Sequence, residues 1–139
     1  MKEHFLRFFF KDITIDQLNA YATRYAPEID KILRPEAMQK LQWHKNQKHT
    51  IYIVSASVEN WVRPWAEKNK IDLLATQLST TGKTIDKVFG SENCYGQEKV
   101  NRIQQELGNL DGYEIYAYGD SGGDKAILAL AQHKFYRCF

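Results

Sequence analysis

Two cysteines, Cys94 and Cys138, are too few to staple a chain of 139 residues. No disulfide framework is expected, and each reads as a reduced thiol in a cytoplasmic protein. No apolar run approaches the ~20 residues of a membrane span. The opening Met1-Lys-Glu-His lacks the small-residue cleavage site of a signal peptide. Charge of one sign is scarce as well: 19 Lys and Arg against 17 Asp and Glu leave a net +2. That is too little to argue for nucleic acid or an anionic membrane as a partner. Repeats and low-complexity tracts are missing. What remains, 43% hydrophobic and 26% charged residues, is the make-up of a globular domain with an ordinary core.

The first 46 residues read as helical. Residues 1–10 hold Phe5, Leu6, Phe8, Phe9 and Phe10, a helix buried against its neighbours or, on a sharper reading, a lipid- or substrate-facing patch. Thr14-Ile-Asp-Gln17 has capping-box form, and Ile15, Leu18, Ala22 and Tyr25 follow at helical spacing. Pro35 suits the first turn of a second helix reaching about Asn46, with Met38, Leu41 and Trp43 as core candidates.

The pattern then changes. Ile51-Tyr-Ile-Val54 is uniformly apolar, as a strand covered on both faces of a parallel sheet is. Ser55-Ala-Ser57 follows, then a helical stripe of Val58, Trp61, Val62, Trp65 and Ala66. Ser57 is placed as the N-cap of that helix. Hydroxyls and first-turn N–H groups at such a junction either hold an anion or merely cap. Residues 73–78 read as another strand, Thr81-Gly-Lys83 as a turn and residues 84–89 as a hairpin arm. A helix over residues 97–107 turns Val100, Ile103 and Leu107 inward. Its first turn carries Lys99, where a cation opposes the helix dipole, and local violations of this kind tend to mark functional positions. Phe135-Tyr-Arg137 reads as a short last strand.

The run from Ile115 to Tyr118 is β-branched and aromatic. It leads into Gly119-Asp-Ser-Gly-Gly-Asp124, and a helix with Ile127, Leu128 and Leu130 follows. A strand that delivers Asp120 and Asp124 to a glycine-rich loop at its carboxyl end is a place where α/β proteins hold a hard cation or a phosphate. The plainer reading is a solvated turn with two acids. The string Gly-Asp-Ser-Gly-Gly also surrounds the nucleophile of trypsin-like serine proteases. That chemistry needs a His base and a buried Asp at the same Ser, on paired β-barrels. Here the histidines, at 4, 44, 49 and 133, lie in helical or strand-flanking stretches of a chain that alternates α and β. The protease reading is excluded.

Taken in order, Ile53-Val-Ser-Ala-Ser57, Asn93-Cys-Tyr-Gly-Gln-Glu-Lys99 and Gly119-Asp-Ser-Gly-Gly-Asp124 resemble motifs two, three and four of the haloacid dehalogenase superfamily. The likeness is closest to subfamily IB, the phosphoserine-phosphatase-like branch with its phosphatidylglycerophosphatase-type members. Trp43-His44 and Phe135-Tyr-Arg137 add to it, and it covers essentially the whole chain. The resemblance implies an α/β fold: a three-layer Rossmann-like core with a parallel sheet over residues 47–139, and part of a helical cap over residues 1–46. It also implies a phosphomonoester hydrolase that forms an aspartyl-phosphate beside Mg²⁺. Ser55 and Lys99 are then the catalytic candidates. Ser55, with the backbone at Ala56 and Ser57, would hold a phosphoryl oxygen, and Lys99 would neutralise the nucleophile and the transferring group. Asp120 is by resemblance a metal ligand. Asp124 is either a second ligand or an acid that orients a metal water or Lys99. The implied substrate is a phosphorylated small molecule or a lipid phosphate.

The family's first motif, Asp-x-Asp-Gly-[Thr/Val], supplies the nucleophile and the general acid. No Asp-x-Asp occurs in this sequence, and Asp12 and Asp16 are four apart in a helical context. On that alignment the chain begins inside the cap, and the sheet lacks its first, central strand, which belongs between the Ser55 strand and the Asp120 strand. A phosphatase scaffold that does not turn substrate over is therefore expected. The two strands beside the gap are expected either to pair directly or to bring chains together as a homo-oligomer through exposed edges. The alternatives are a non-catalytic remnant that binds phosphate or a partner, and an interaction module using the Phe-rich opening.

Overall fold

Thr14 opens the first helix of the computed structural model, which describes residue 10 and residues 12–139. Its hydroxyl accepts from the Gln17 N–H at 3.2 Å, and Gln17 Oε1 accepts from the Thr14 N–H at 2.9 Å. Two donors of the helix start are thereby matched. The helix expected over residues 1–10 lies outside the described residues, apart from Phe10. Helix α1 runs Ile15–Ile32 and buries Leu18, Ala22 and Ala26, one turn apart on a single face. Tyr25, expected inward, is exposed and stacks on Trp61 with ring centroids 4.9 Å apart.

Helix α2, Pro35–Asn46, has the expected bounds, with proline in its first turn. Strand β1 (Tyr52–Val58), helix α3 (Glu59–Lys68) and strand β2 (Asp72–Thr76) form a parallel unit, with Ser55 opposite Ala75. Ser57 stays within β1. The N-cap of α3 is Val58, which has no polar side chain to cap with. The one strand expected over residues 73–78 is two: β2 stops at Thr76, and β3 (Leu78–Thr81) pairs antiparallel with β4 (Thr84–Phe89). The break falls at Gln77, whose N–H donates to Ser91 Oγ at 2.9 Å instead of to a strand. Gly82 supplies the positive φ, +59°, that the hairpin turn needs.

By its contacts the chain groups into two units, one ending at Asn93 and the other spanning Cys94–Phe139. In the first, Ala26, Trp65 and Ile71 form the buried centre, with Ile29, Leu33, Met38, Leu41, Ile51 and Ile53 packed around them. Asp30 ties α1 to α3, accepting from Trp65 Nε1 at 2.8 Å and Lys68 Nζ at 2.6 Å. Those bonds, Lys68's foremost, hold its carboxyl below the usual carboxylate range.

Trp43 is exposed, and its neighbour His44 takes the buried place on α2. His44 Nδ1 lies 2.8 Å from His49 Nδ1, one imidazole donating to the other. Burial, then the charges of His49 and Lys40, push the His44 imidazole below 6.5. The folded chain therefore refuses a proton that the unfolded chain takes up. Stability is full above about pH 6.5 and falls as the pH drops below it. Urea midpoints followed from about pH 7.5 to about pH 5 are expected to show this decline, and His44→Gln is expected to flatten it.

The second unit holds α4 (Gln97–Leu107), β5 (Tyr116–Gly119), a 3₁₀ turn (Gly122–Asp124), α5 (Lys125–Leu130) and β6 (His133–Tyr136). β5 and β6 are parallel, with Gly119 opposite Tyr136. Ala117, Leu128 and Ala131 are its buried centre, with Ile115 against them. Across the pair, Tyr116 stacks on His133 at 4.1 Å and Tyr118 on Phe135 at 4.6 Å. Burial, with smaller contributions from Cys138 and Tyr116, pushes the Tyr118 phenol up to about 12.

The fold class is α/β, with parallel strand pairs joined through helices in the Rossmann-like manner. The hydrogen-bonded neighbour of β1 is β2, and that of β5 is β6. Among the described residues, no helix is long and apolar enough to cross a membrane.

Candidate functional site

β5 ends at Gly119, a position with no room for a side chain. A Cβ on Gly119 would sit 2.5 Å from Asp124 Cβ. Without it, Asp124 folds back over the loop. Its Oδ2 accepts from the N–H of Asp120 at 3.2 Å, the N–H of Ser121 at 3.0 Å and the Ser121 hydroxyl at 2.8 Å. Its Oδ1 accepts from Lys99 Nζ at 2.6 Å. Lys99 stands in the first turn of α4, whose N-cap is Gly96 at φ +59°. The Gly96 N–H donates to the Gly123 carbonyl at 3.1 Å, which fastens the helix start to the loop. Lys99 is 9% exposed and Asp124 7%.

Burial alone would raise the Asp124 carboxyl. The bond from Lys99, those from Ser121 and the Lys99 charge outweigh burial and hold it down to about 2. The carboxylate is thus ionised at neutral pH. The cation that opposes the dipole of α4 is offset by an anion of the chain itself. Asp124 accepts four hydrogen bonds, so its bonding suits the acid that orients Lys99 better than a metal ligand. The Asp120 carboxylate, by contrast, is on an exposed residue.

Magnesium keeps several waters and binds through one or two carboxylates plus substrate phosphate. Asp120 offers one such oxygen donor. Among the described residues no cluster of three or more metal-ligating side chains forms. A divalent ion held at this single carboxylate would keep most of its coordination as water or phosphate.

In the first unit the other predicted residues lie together. The β1–β2 register shifts between Ser55 and Val58, and such bulges re-aim side chains. Ser55 Oγ accepts from the Ser57 N–H at 3.1 Å, so hydroxyl and backbone close a small turn. Thr76, fully buried, donates to the Ala56 carbonyl at 3.1 Å and bonds Asn93 Oδ1 at 3.3 Å, fixing that turn from below. The structure thus gathers Ser55, Ala56 and Ser57 within one unit, and Lys99, Asp120 and Asp124 within the other. Sequence reasoning gave no role of their own to Ser121, Thr76 and Arg137. Ser121-Gly-Gly-Asp124 has the Ser-x-x-Asp form of a capping box, and that signal was legible.

The sequence profile of haloacid dehalogenase-like hydrolases matches residues 1–129. Protein CicA of Caulobacter vibrioides, in two strains, is 34% identical over 146 aligned positions, covering 100% of this chain and 64% of CicA. The chain thus spans less than two thirds of the length of this curated relative. Among solved structures, a protein of unknown function from Bordetella pertussis Tohama I superposes with a TM-score of 0.78 at 18% identity, over 92% of this chain and 60% of that one. A phosphoserine phosphohydrolase-like protein from Francisella tularensis subsp. tularensis SCHU S4 gives 0.59 at 15% identity, over 87% and 65%. At such identities the two structures speak for the fold. The profile match extends over most of the sequence, and on it this chain belongs to the haloacid dehalogenase-like hydrolase family.

Proposed function

We propose that this chain is the phosphate-holding part of a Mg²⁺-dependent phosphomonoester hydrolase of the phosphoserine-phosphatase-like branch. Residues 47–139 serve as its core and residues 1–46 as part of its cap. The observation that carries this reading is the buried Lys99–Asp124 pair beside the exposed Asp120. A buried ion pair is a poor source of stability, since apolar residues of similar size often serve as well or better. A lysine locked in place at a helix start is useful to a bound anion.

In this reading Asp124 orients Lys99, and Lys99 presents its charge to the phosphate. Within the first unit, the Ser55 hydroxyl and the backbone at Ala56 and Ser57 are the groups suited to receive a phosphoryl oxygen. Asp120 would hold the metal ion, whose chemistry is to neutralise phosphoryl charge. The substrate is a phosphorylated small molecule or a lipid phosphate. The Asp-x-Asp nucleophile motif is not among these 139 residues, so the chain as given binds phosphate without hydrolysing its esters.

The test is a ³¹P NMR titration of orthophosphate with and without Mg²⁺. Binding that depends on Mg²⁺ is expected, weakened about tenfold or more by Lys99→Met, with circular dichroism confirming that the variant is folded. Asp120→Asn is expected to remove the dependence on Mg²⁺. No orthophosphate binding under either condition overturns the reading. Release of phosphate from p-nitrophenyl phosphate by the pure chain overturns the claim that it does not turn over.

A further inference from the structure

Arg137 follows β6 with a left-handed backbone, φ +50°, a conformation that side chains other than glycine's adopt rarely. Two bonds hold it there. Its N–H donates to the Gly119 carbonyl at 2.9 Å, one step beyond the β5–β6 ladder. Its Nε donates to the Asp120 carbonyl at 3.0 Å. The guanidinium carbon also lies 5.1 Å from the centroid of the Tyr136 ring. The side chain is therefore fastened to the last residue of β5 and to the first residue of the acidic loop.

The bond from Nε uses one of the five donors of a guanidinium, and the Nη edge is the planar fork that matches an oxyanion. Arg137 is exposed, and among the described residues no carboxylate pairs with it. Nothing about holding the loop calls for this fork. A single N–H would serve the Asp120 carbonyl equally well.

We infer that Arg137 is a specificity-determining residue whose guanidinium receives a second oxyanion of the ligand, a carboxylate or a further phosphoryl group, next to the phosphate held at Lys99 and Asp120. The inference rests on the proposed phosphate site. It narrows the substrate class to phosphomonoesters that carry another negative group close by, against phosphorylated neutral alcohols.

The experiment titrates the whole 139-residue chain, with Mg²⁺ present, with three ligands. Methyl phosphate has no second anion, phosphoglycolate adds a carboxylate, and ethylene glycol bisphosphate adds a phosphoryl group. The chain is expected to bind one of the two doubly anionic ligands roughly five- to tenfold more tightly than methyl phosphate. Which one it prefers identifies the second group. Arg137→Gln is expected to erase the preference, weakening the doubly anionic ligand several-fold more than methyl phosphate. Arg137→Lys is expected to restore part of it, and serves as the test should the glutamine variant lose its fold. An equal loss for all three ligands overturns the inference, because Arg137 would then only hold the loop. A preference that survives both substitutions overturns it as well. If methyl phosphate binds and neither second anion helps, Arg137 alone is ruled out. If methyl phosphate does not bind, the phosphate site itself falls and the role of Arg137 with it.

Discussion

Asp124→Ala is expected to lower the unfolding free energy by about 3–5 kcal/mol, the range for removing one partner of a buried ion pair. The substitution leaves the Lys99 ammonium in a site only 9% exposed. It also takes the acceptor from the N–H groups of Asp120 and Ser121 and from the Ser121 hydroxyl. Both of those residues are exposed, so water replaces part of what they lose, and the loss of the carboxylate beside the Lys99 ammonium dominates. Lys99→Met is expected to cost less, because Asp124 keeps its other three donors.

Acid gives an independent check on the same carboxylate. The Asp124 carboxyl is held at about 2, against 3.8 in the unfolded chain. A depressed folded value means stability that is present above the unfolded value and lost as the pH falls through the folded one. That contribution amounts to about 2 kcal/mol. It is expected to fade between about pH 4 and about pH 2, and to be missing from the Asp124→Ala profile. Urea unfolding at neutral pH and through this acid range measures both effects. A loss below about 1 kcal/mol at neutral pH would show that the pair is not buried as described.

Trp65→Ala is expected to cost a further about 3–5 kcal/mol, in the first unit. The indole is 6% exposed and packs with Ala26 and Ile71, the buried residues at the centre of that unit. Its truncation removes a large apolar surface and leaves a cavity that helices pinned on either side cannot close. Trp65→Phe keeps most of the volume and loses the bond to Asp30, itself partly solvated, so about 1 kcal/mol is expected. Denaturant unfolding of both variants separates packing from hydrogen bonding. Similar losses for alanine and phenylalanine would mean that the bond to Asp30, and not the packing, carries the effect.

Much of this architecture could be read directly. Pro35 and the capping box at Thr14 set two helix starts, because each acts through its own backbone within one turn. The run at residues 51–54 and the stripe through Trp65 announced the parallel unit by period alone. The errors fall where a distant partner decides. Gln77 leaves its strand for Ser91, fourteen residues on. His44 displaces Trp43 from the interior because it finds His49, which a hydropathy pattern does not register. Ser57 was read as a cap, but its N–H closes on Ser55 within β1. Lys99 stood out in the sequence for opposing its helix, yet the anion beside it comes from twenty-five residues away. Local sequence could pose that electrostatic problem but could not solve it. The resemblance to the haloacid dehalogenases named the motifs; the four hydrogen bonds that Asp124 accepts were not legible in them.

The bare backbone at Gly119 has a consequence for anyone redesigning this loop. Asp124 occupies the volume that any side chain at 119 would need, so that residue offers no freedom for tuning selectivity. On the proposed reading, changes aimed at altering ligand choice enter through the exposed residues Asp120, Ser121 and Arg137, with the 119/124 contact kept as a fixed hinge pin.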